Sequence, residues 1–265
     1  LRLGVLANTE LPQARQLVHE ASRLLLPGDQ MEQKTASVLG KKGVKLQQMD
    51  VDILIVIGGD GTMLKTFMSC DLPLIGVNAG NVGFLTEIDG RRLKEVVHRL
   101  RKGRYVVEEA LKLRTEVNGR RVADAVNEAV IHSANIGKVR HFIISVDGKN
   151  AGLVRADGII VSTPTGSTSY SLAAGGPIVD PSAQVLVLTP IAPYGISSRP
   201  IVCSPDVEVR ISIEGERKCK LVIDGQYSSD LSGKEEIILS GSENRAKFVR
   251  LRRNFYERVH SKLIG

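Results

Sequence analysis

Apolar residues in the first hundred positions switch between continuous runs and three-and-four spacing, a pattern that predicts strands alternating with helices. Leu3 to Leu6 is a short apolar run suited to a strand. Ala14, Leu17, Val18, Ala21, Leu24 and Leu25 then fall on one helical face, with Pro12 suited to the first turn and Pro27-Gly28 ending the pattern. Ile53 to Ile57 is a β-branched and leucine run, as expected of a parallel strand buried on both faces, and it stops at Gly58-Gly59. Met63, Leu64, Phe67 and Met68 make a second helical stripe, Leu74 to Val77 another strand, and Leu93, Val96, Val97 and Leu100 a helix closed by Gly103. From Gln30 to Met49 the periodicity is weak and predicts no element.

From about Tyr105 the period changes to two. Thr115 to Val117, Asn118-Gly119 and Val122 predict one hairpin, and Phe142 to Val146, Asp147-Gly148 and Leu153 another. Val207, Val209, Ile211 and Ile213 alternate with Glu208, Arg210 and Ser212, as in a sheet with one buried and one wet face. Leu221 to Ile223 and Ile237 to Leu239 add strands; Phe248 to Leu251 is a further strand, followed by a helix carrying Phe255, Val259 and Leu263. The expected organisation is an α/β domain at residues 1–103 plus 246–265 and a mostly-β domain at 104–245, with the tail returning to the first domain.

Composition narrows the function classes. The 265 residues are 42% hydrophobic and 25% charged, which is ordinary for a globular protein. A formal charge of +7 invites nucleic acid, but the basic residues come as scattered pairs with acids between them and the aromatic content is only 4%. Polyanionic small molecules fit better than nucleic acid. Cys70, Cys203 and Cys219 are odd in number and far apart, so neither a disulfide framework nor a zinc site is expected, and a cytoplasmic setting fits best. No apolar run approaches the roughly 20 residues of a membrane span, and no signal peptide is visible. The chain starts at Leu1 rather than Met, which leaves room for a preceding segment.

The strongest local signal is Gly58-Gly59-Asp60-Gly61-Thr62 between a strand and a helix. Glycines there allow close approach of a ligand, and the free N–H groups of a helix start favour phosphate. Asp60 is the anomaly, since its charge repels phosphate unless it holds a metal or accepts a proton. A helix-capping Asp-Gly turn is the alternative. The loop is neither a Walker A nor a GxGxxG fingerprint. Asn78-Ala79-Gly80-Asn81-Val82-Gly83-Phe84-Leu85 follows the next strand, where open α/β sheets bind ligands, and reads equally as a scaffold loop. The stretch 157–177, DGIIVSTPTGSTSYSLAAGGP, delivers hydroxyl residues around Gly166 that suit a ribose, an adenine edge or phosphates. Asn127-Glu128 fits a sugar diol, as would any exposed polar pair, and Asp224-Gly225-Gln226 reads locally as a hairpin turn.

Taken in order, GGDGT, NAGNVGFL, NE, the 157–177 stretch, Ile191-Ala192-Pro193-Tyr194 and DGQ resemble the NAD kinases over most of the chain. GGDGT alone is shared with diacylglycerol, sphingosine and 6-phosphofructo-kinases. The resemblance implies a Rossmann-like first domain completed by the C-terminal tail, and a β-sandwich second domain with the dinucleotide between them. It implies phosphorylation of the adenosine ribose 2′-hydroxyl of NAD, by ATP or polyphosphate with Mg²⁺ or another divalent metal, with Asp60 as proton acceptor. The implied phosphate loop is Gly58, Gly59, Gly61 and Thr62. Carried over as NAD contacts are Asp60, Gly61, Lys65, Asn127, Glu128, Lys138, Arg155, Asp157, Thr168, Ser169, Tyr170, Ser171, Leu172, Ala173, Ala192 and Gln226. No metal ligand is assigned to a side chain. A homodimer or homotetramer is implied, with some contacts made in trans. The rival readings are a lipid or sugar kinase sharing GGDGT, and a dinucleotide sensor without turnover.

Overall fold

The computed structural model describes residues 1–80, 83–86, 88–135, 137–195, 198–215, 217–252 and 254–264. They form two compact units, Leu1–Glu109 with Ala246–Gly265, and Ala110–Arg245.

Unit 1 begins with β1 (Leu3–Ala7), α1 (Pro12–Leu24), β2 (Gln30–Met31) and α2 (Gln33–Ser37). It continues with β3 (Ile53–Gly58), α3 (Asp60–Phe67), β4 (Leu74–Asn78), β5 (Ile88–Asp89) and α4 (Leu93–Arg101). Its strands pair in parallel in the order β2-β1-β3-β4, with β5 joined to β4. Every residue of β3 and β4 is buried, as the unbroken apolar runs require. Ala14, Val18 and Ala21 of α1 and Val96, Val97 and Leu100 of α4 pack on Val5, Ile55 and Val77 of the sheet. The Gln30–Met49 stretch holds a two-residue strand and a five-residue helix, too short to leave a period in the sequence.

The chain leaves unit 1 within β6 (Val106–Val117). Unit 2 continues with β7 (Arg120–Ala125), β8 (Glu128–Ser133), β9 (Arg140–Val146), β10 (Lys149–Ala156), β11 (Gly158–Ser162) and α5 (Tyr170–Ala173). Then come β12 (Leu186–Ile191), β13 (Ile201–Cys203), β14 (Val209–Ile213), β15 (Cys219–Ile223), β16 (Tyr227–Leu231) and β17 (Ile237–Arg250). One sheet runs β13-β12-β11-β8-β15-β16, and the other carries β10-β9-β14-β17 with β6 and β7. Their inner faces meet in one core, with Leu113, Phe142, Ile144 and Ile211 from one side and Ile131, Val161, Leu221 and Ile223 from the other. Unit 2 is therefore a β-sandwich. Both expected hairpins form, with Asn118 (φ 50°) and Asp147 (φ 48°) in the left-handed conformation that a two-residue turn needs.

One expectation is corrected. Ile237–Leu239 and Phe248–Leu251 read as separate strands, but β17 is one strand of 14 residues. The polar run Ser240 to Arg245 hides it, because strand pairing is a backbone property and does not require apolar side chains. Through Phe248, which pairs with Leu74 of β4, the chain re-enters unit 1, and it ends in α6 (Phe255–Val259) and a π-helical turn, His260–Ile264. Among the described residues no helix is long and apolar enough to cross a membrane.

Candidate functional site

In unit 1, β3 delivers its glycines at the carboxyl end of the parallel sheet, the ligand-binding end of such folds. Gly59 is the N-cap of α3 and makes no side-chain cap bond; Asp60 is the first helical residue. Its carboxylate does not cap α3. It reaches instead to the loop after β4, where Oδ2 accepts from Phe84 N at 2.8 Å and Oδ1 from Leu85 N at 3.1 Å, Thr86 N at 2.8 Å and Thr86 Oγ1 at 2.8 Å. Asn78 at the end of β4 donates in turn to Thr86 Oγ1 at 2.8 Å. Among the described residues Oδ1 accepts three of these bonds and Oδ2 one, which leaves Oδ2 the more open oxygen.

Gly83 explains why this loop needs a glycine. A Cβ there would overlap both Asp60 carboxylate oxygens. Asn81 and Val82 of the same motif lie outside the described residues. In the preceding loop, Gly58 packs on Thr62, Gly59 faces open space, and Gly61 is exposed. Lys65 is also exposed, five residues on and so about 140° around the helix from Asp60.

Three cations of the returning segment act on Asp60. Burial pushes the Arg250 and Arg258 guanidinium groups and the Lys262 ammonium down, and the charge of Asp60 pulls each of them up. Arg250 is answered by Glu108, with Nε 3.4 Å from Oε2. A divalent ion is a different matter. No group of three His, Cys, Asp or Glu side chains gathers among the described residues, and three donors fill Oδ1 of Asp60. These side chains do not fit a protein-held metal.

In unit 2 a second acid clamps backbone amides. Asp224 sits at φ 51° in the turn between β15 and β16, so the expected hairpin turn is present. Its carboxylate also accepts from Val126 N at 2.7 Å, Asn127 N at 2.8 Å and Glu128 N at 3.0 Å. This fixes the Asn127-Glu128 pair, whose Asn127 Oδ1 and Glu128 Oε2 are buried without a hydrogen-bond partner. Such atoms are costly unless something supplies a bond. Burial and the neighbouring Asp224 charge push the Glu128 carboxyl up to about 8, against Ser169 Oγ at 3.3 Å and the Tyr170 amide. Burial pushes the Asp224 carboxyl up as well, against its three amide donors and the nearby Lys112 charge, which pull it down.

The hydroxyl-rich stretch divides into inward and outward halves. Thr163 Oγ1 donates to Val126 O at 2.6 Å, Ser167 Oγ to Pro164 O at 2.7 Å, and Ser171 Oγ pairs with Thr189 Oγ1 at 2.9 Å. These three brace the loop. A Cβ on Gly166 would overlap the Asn127 carbonyl, so the loop lies directly against the Asn127 backbone. Ser169 faces Glu128, and Thr168, Tyr170, Leu172, Ala173 and Gln226 are half-buried or exposed around them.

Arg155, Asp157 and Ala192 form a separate group, and Lys138 N donates to Asn135 O at 3.3 Å in the segment after β8. Asp157 N donates to Ile191 O at 3.0 Å, Ser133 N to Asp157 O at 2.8 Å, and the Arg155 guanidinium lies 4.4 Å over the Tyr194 ring. In the ladder Glu128 faces Ser162 and His132 faces Gly158. The two groups therefore sit at opposite ends of β8, about 13 Å apart along the strand. A groove of about 450 Å³ runs from Glu128 past Val130 and His132 to Ala134, walled by Val222 and Lys220 of β15.

Sequence reasoning missed the amide-clamping role of Asp224, the close approach of Gly83, and the tail cations. The one available signal was the four-residue spacing of Arg258 and Lys262 in a helical tail, which a solvated face would share.

Comparison with known proteins bears on both units. The model of the ATP-NAD kinase N-terminal domain matches residues 6–105, and that of the ATP-NAD kinase C-terminal domain matches residues 126–251. The chain is 39% identical to an NAD kinase of Thermoplasma acidophilum over 91% of this chain and 90% of that one. It is 36% identical to an NAD kinase of Methanothermobacter thermautotrophicus over 100% of this chain and 96% of that one. Among solved structures, yeast NADH kinase complexed with NADH superposes with a TM-score of 0.89 at 25% identity, covering 100% of this chain and 87% of that one. An Archaeoglobus fulgidus NAD kinase in complex with ATP gives 0.76 at 28% identity, covering 97% and 96%. Nothing among these favours a lipid kinase, a sugar kinase or a sensor without turnover. Both units, by sequence and by fold, make this chain a member of the NAD kinase family.

Proposed function

We propose that this chain transfers the terminal phosphoryl group of ATP to the 2′-hydroxyl of the adenosine ribose of NAD, with Asp60 Oδ2 as the proton acceptor. The observation that carries the assignment is the carboxylate's own geometry. Four donors hold it rigidly and Oδ2 is the more open oxygen, as a general base requires. The domain models of ATP-NAD kinases support ATP as donor, as does the relative solved with ATP. The helix start at Asp60-Gly61, after Gly58-Gly59, suits phosphate, while the Thr62 amide is turned to Gly59 O at 3.0 Å.

Asn127 Oδ1 and Glu128 Oε2 serve the dinucleotide, because a ribose diol or an adenine edge supplies the bonds that the protein leaves unmade. Ser169 and Tyr170 complete that pocket. Arg155, Asp157 and Ala192 lie about 13 Å from that pocket along β8, where they suit the same dinucleotide extended along the groove or, in a homodimer or homotetramer, a neighbouring copy's substrate. Three widely separated cysteines, odd in number, suit a reducing cytoplasm.

The test is Asp60→Asn, assayed with NAD or NADH and with ATP or polyphosphate. NADP formation should fall by roughly 10²–10⁴-fold while equilibrium NAD binding stays within a few fold. Turnover at the parent rate would remove Asp60 from the role.

A further inference from the structure

The tail from Asn254 onward carries no motif that the dinucleotide-binding reading uses, yet it is built against the catalytic loop. Val259 of α6 is buried, and the segment belongs to unit 1. Arg258 and Lys262 are four positions apart, about one helical turn, and close enough for the Arg258 charge to disfavour that of Lys262. Like charges one turn apart, in a partly desolvated place, oppose folding. What they face gives the arrangement its use.

The Lys262 ammonium lies 5.1 Å from the centroid of the Phe84 ring, a cation–π seat. The N–H of the same Phe84 donates to Asp60 Oδ2 at 2.8 Å. One residue thus supports two groups: its amide holds the basic oxygen and its ring seats the cation. Asp60 acts on Lys262 and on Arg258 through its charge, so all three share one neighbourhood. Lys65, the cation that the local sequence offers, is on a different face of α3 and exposed.

Phosphoryl transfer needs such a cation. The ribose oxygen bonds to the terminal phosphorus as the bond from that phosphorus to the bridging oxygen breaks; the bridging oxygen leaves with the electron pair as ADP, and the hydroxyl proton passes to Asp60 Oδ2. Negative charge stays spread over the three non-bridging oxygens in flight. A carboxylate base beside them raises the barrier by repulsion, and a fixed ammonium next to that base offsets it. We propose that Lys262, with Arg258 one turn before it, contacts the non-bridging oxygens of the transferring phosphoryl group, so that the C-terminal helix supplies the positive half of the catalytic centre. This assignment rests on the reading of Asp60 as base and ATP as donor.

The experiment uses the full chain with Lys262→Gln, Lys262→Ala, Lys262→Arg and Asp60→Asn in parallel. It reads kcat and KM for ATP, equilibrium NAD binding and melting temperature. Lys262→Gln should lower kcat/KM for ATP by about 10²–10³-fold, the scale of losing one transition-state donor, with the NAD dissociation constant within about twofold. Lys262→Arg should regain at least about tenfold of that loss, and added methylamine should raise the turnover of Lys262→Ala in a saturable way. A purely structural lysine would show no amine rescue. Turnover of Lys262→Gln within about threefold of the parent overturns the proposal, as does a loss that neither Arg nor methylamine repairs. If Lys262→Gln also melts early, the Arg variant and the amine rescue decide. Asp60→Asn at parental turnover overturns the underlying reading, whereas inactive Asp60→Asn beside active Lys262→Gln overturns the tail assignment alone.

Discussion

Gly83 faces Asp60 so closely that a methyl group on Gly83 and the Asp60 carboxylate would occupy the same space. The glycine is therefore part of the positioning of the proposed base, although it contributes no functional group. Gly83→Ala should push the carboxylate off the amides of residues 84–86. Misplacement of a reacting group by about 1 Å costs roughly 10²-fold, so kcat should fall by that order with NAD binding largely kept, since the NAD contacts assigned in unit 2 are untouched. Steady-state kinetics and an NAD titration check this. An alanine variant with normal kcat would mean that the carboxylate's position is not critical.

Asp224 performs on the amides of Val126, Asn127 and Glu128 what Asp60 performs on those of Phe84, Leu85 and Thr86. In each case an acid of an Asp-Gly step holds three consecutive N–H groups of a distant segment. Asp224→Ala leaves three buried donors unmatched, at about 1–3 kcal/mol each where water does not replace the bond. A loss of about 3 kcal/mol or more is expected in denaturant unfolding at pH 7. Asp224→Asn, which keeps one carbonyl oxygen, should lose less. An alanine variant within about 1 kcal/mol of the parent would show that solvent already satisfies these amides.

Local chemistry explains which features could be read from the chain. Asn118-Gly119 and Asp147-Gly148 announce their hairpins because the left-handed turn conformation is a property of those residues themselves. The β3 run and the α1 stripe announce burial through their period. The contacts of Asp60 carry no period, because its partners 84–86 belong to a different loop, and so the sequence leaves a helix cap open as the alternative. Lys262 is more remote still. The pairing of Phe248 with Leu74 helps return the tail to unit 1, and a backbone rung of that kind leaves no mark on the residues around Lys262. The hydroxyl-rich stretch was legible as unusual, but not the division of labour between Thr163, Ser167 and Ser171, which brace, and Ser169, which faces Glu128.

Glu128 makes stability depend on pH with a sign that its environment fixes. Its carboxyl moves from 4.5 to about 8, through burial first and the Asp224 charge second. Between those two values the folded chain binds more protons at this site than the unfolded chain does, so stability falls as pH rises through the window. The loss begins near the unfolded value and is complete above about 8. A shift of this kind corresponds to on the order of 5 kcal/mol between the two limits. Glu128→Gln stays neutral throughout and should remove that part of the slope, becoming more stable relative to the parent as pH increases. Urea unfolding of both proteins at pH 5, 6, 7 and 8.5 measures it. Parallel stability curves would show that Glu128 is ionised across the range, and the buried, protonated carboxyl beside Asp224 would then have to be abandoned.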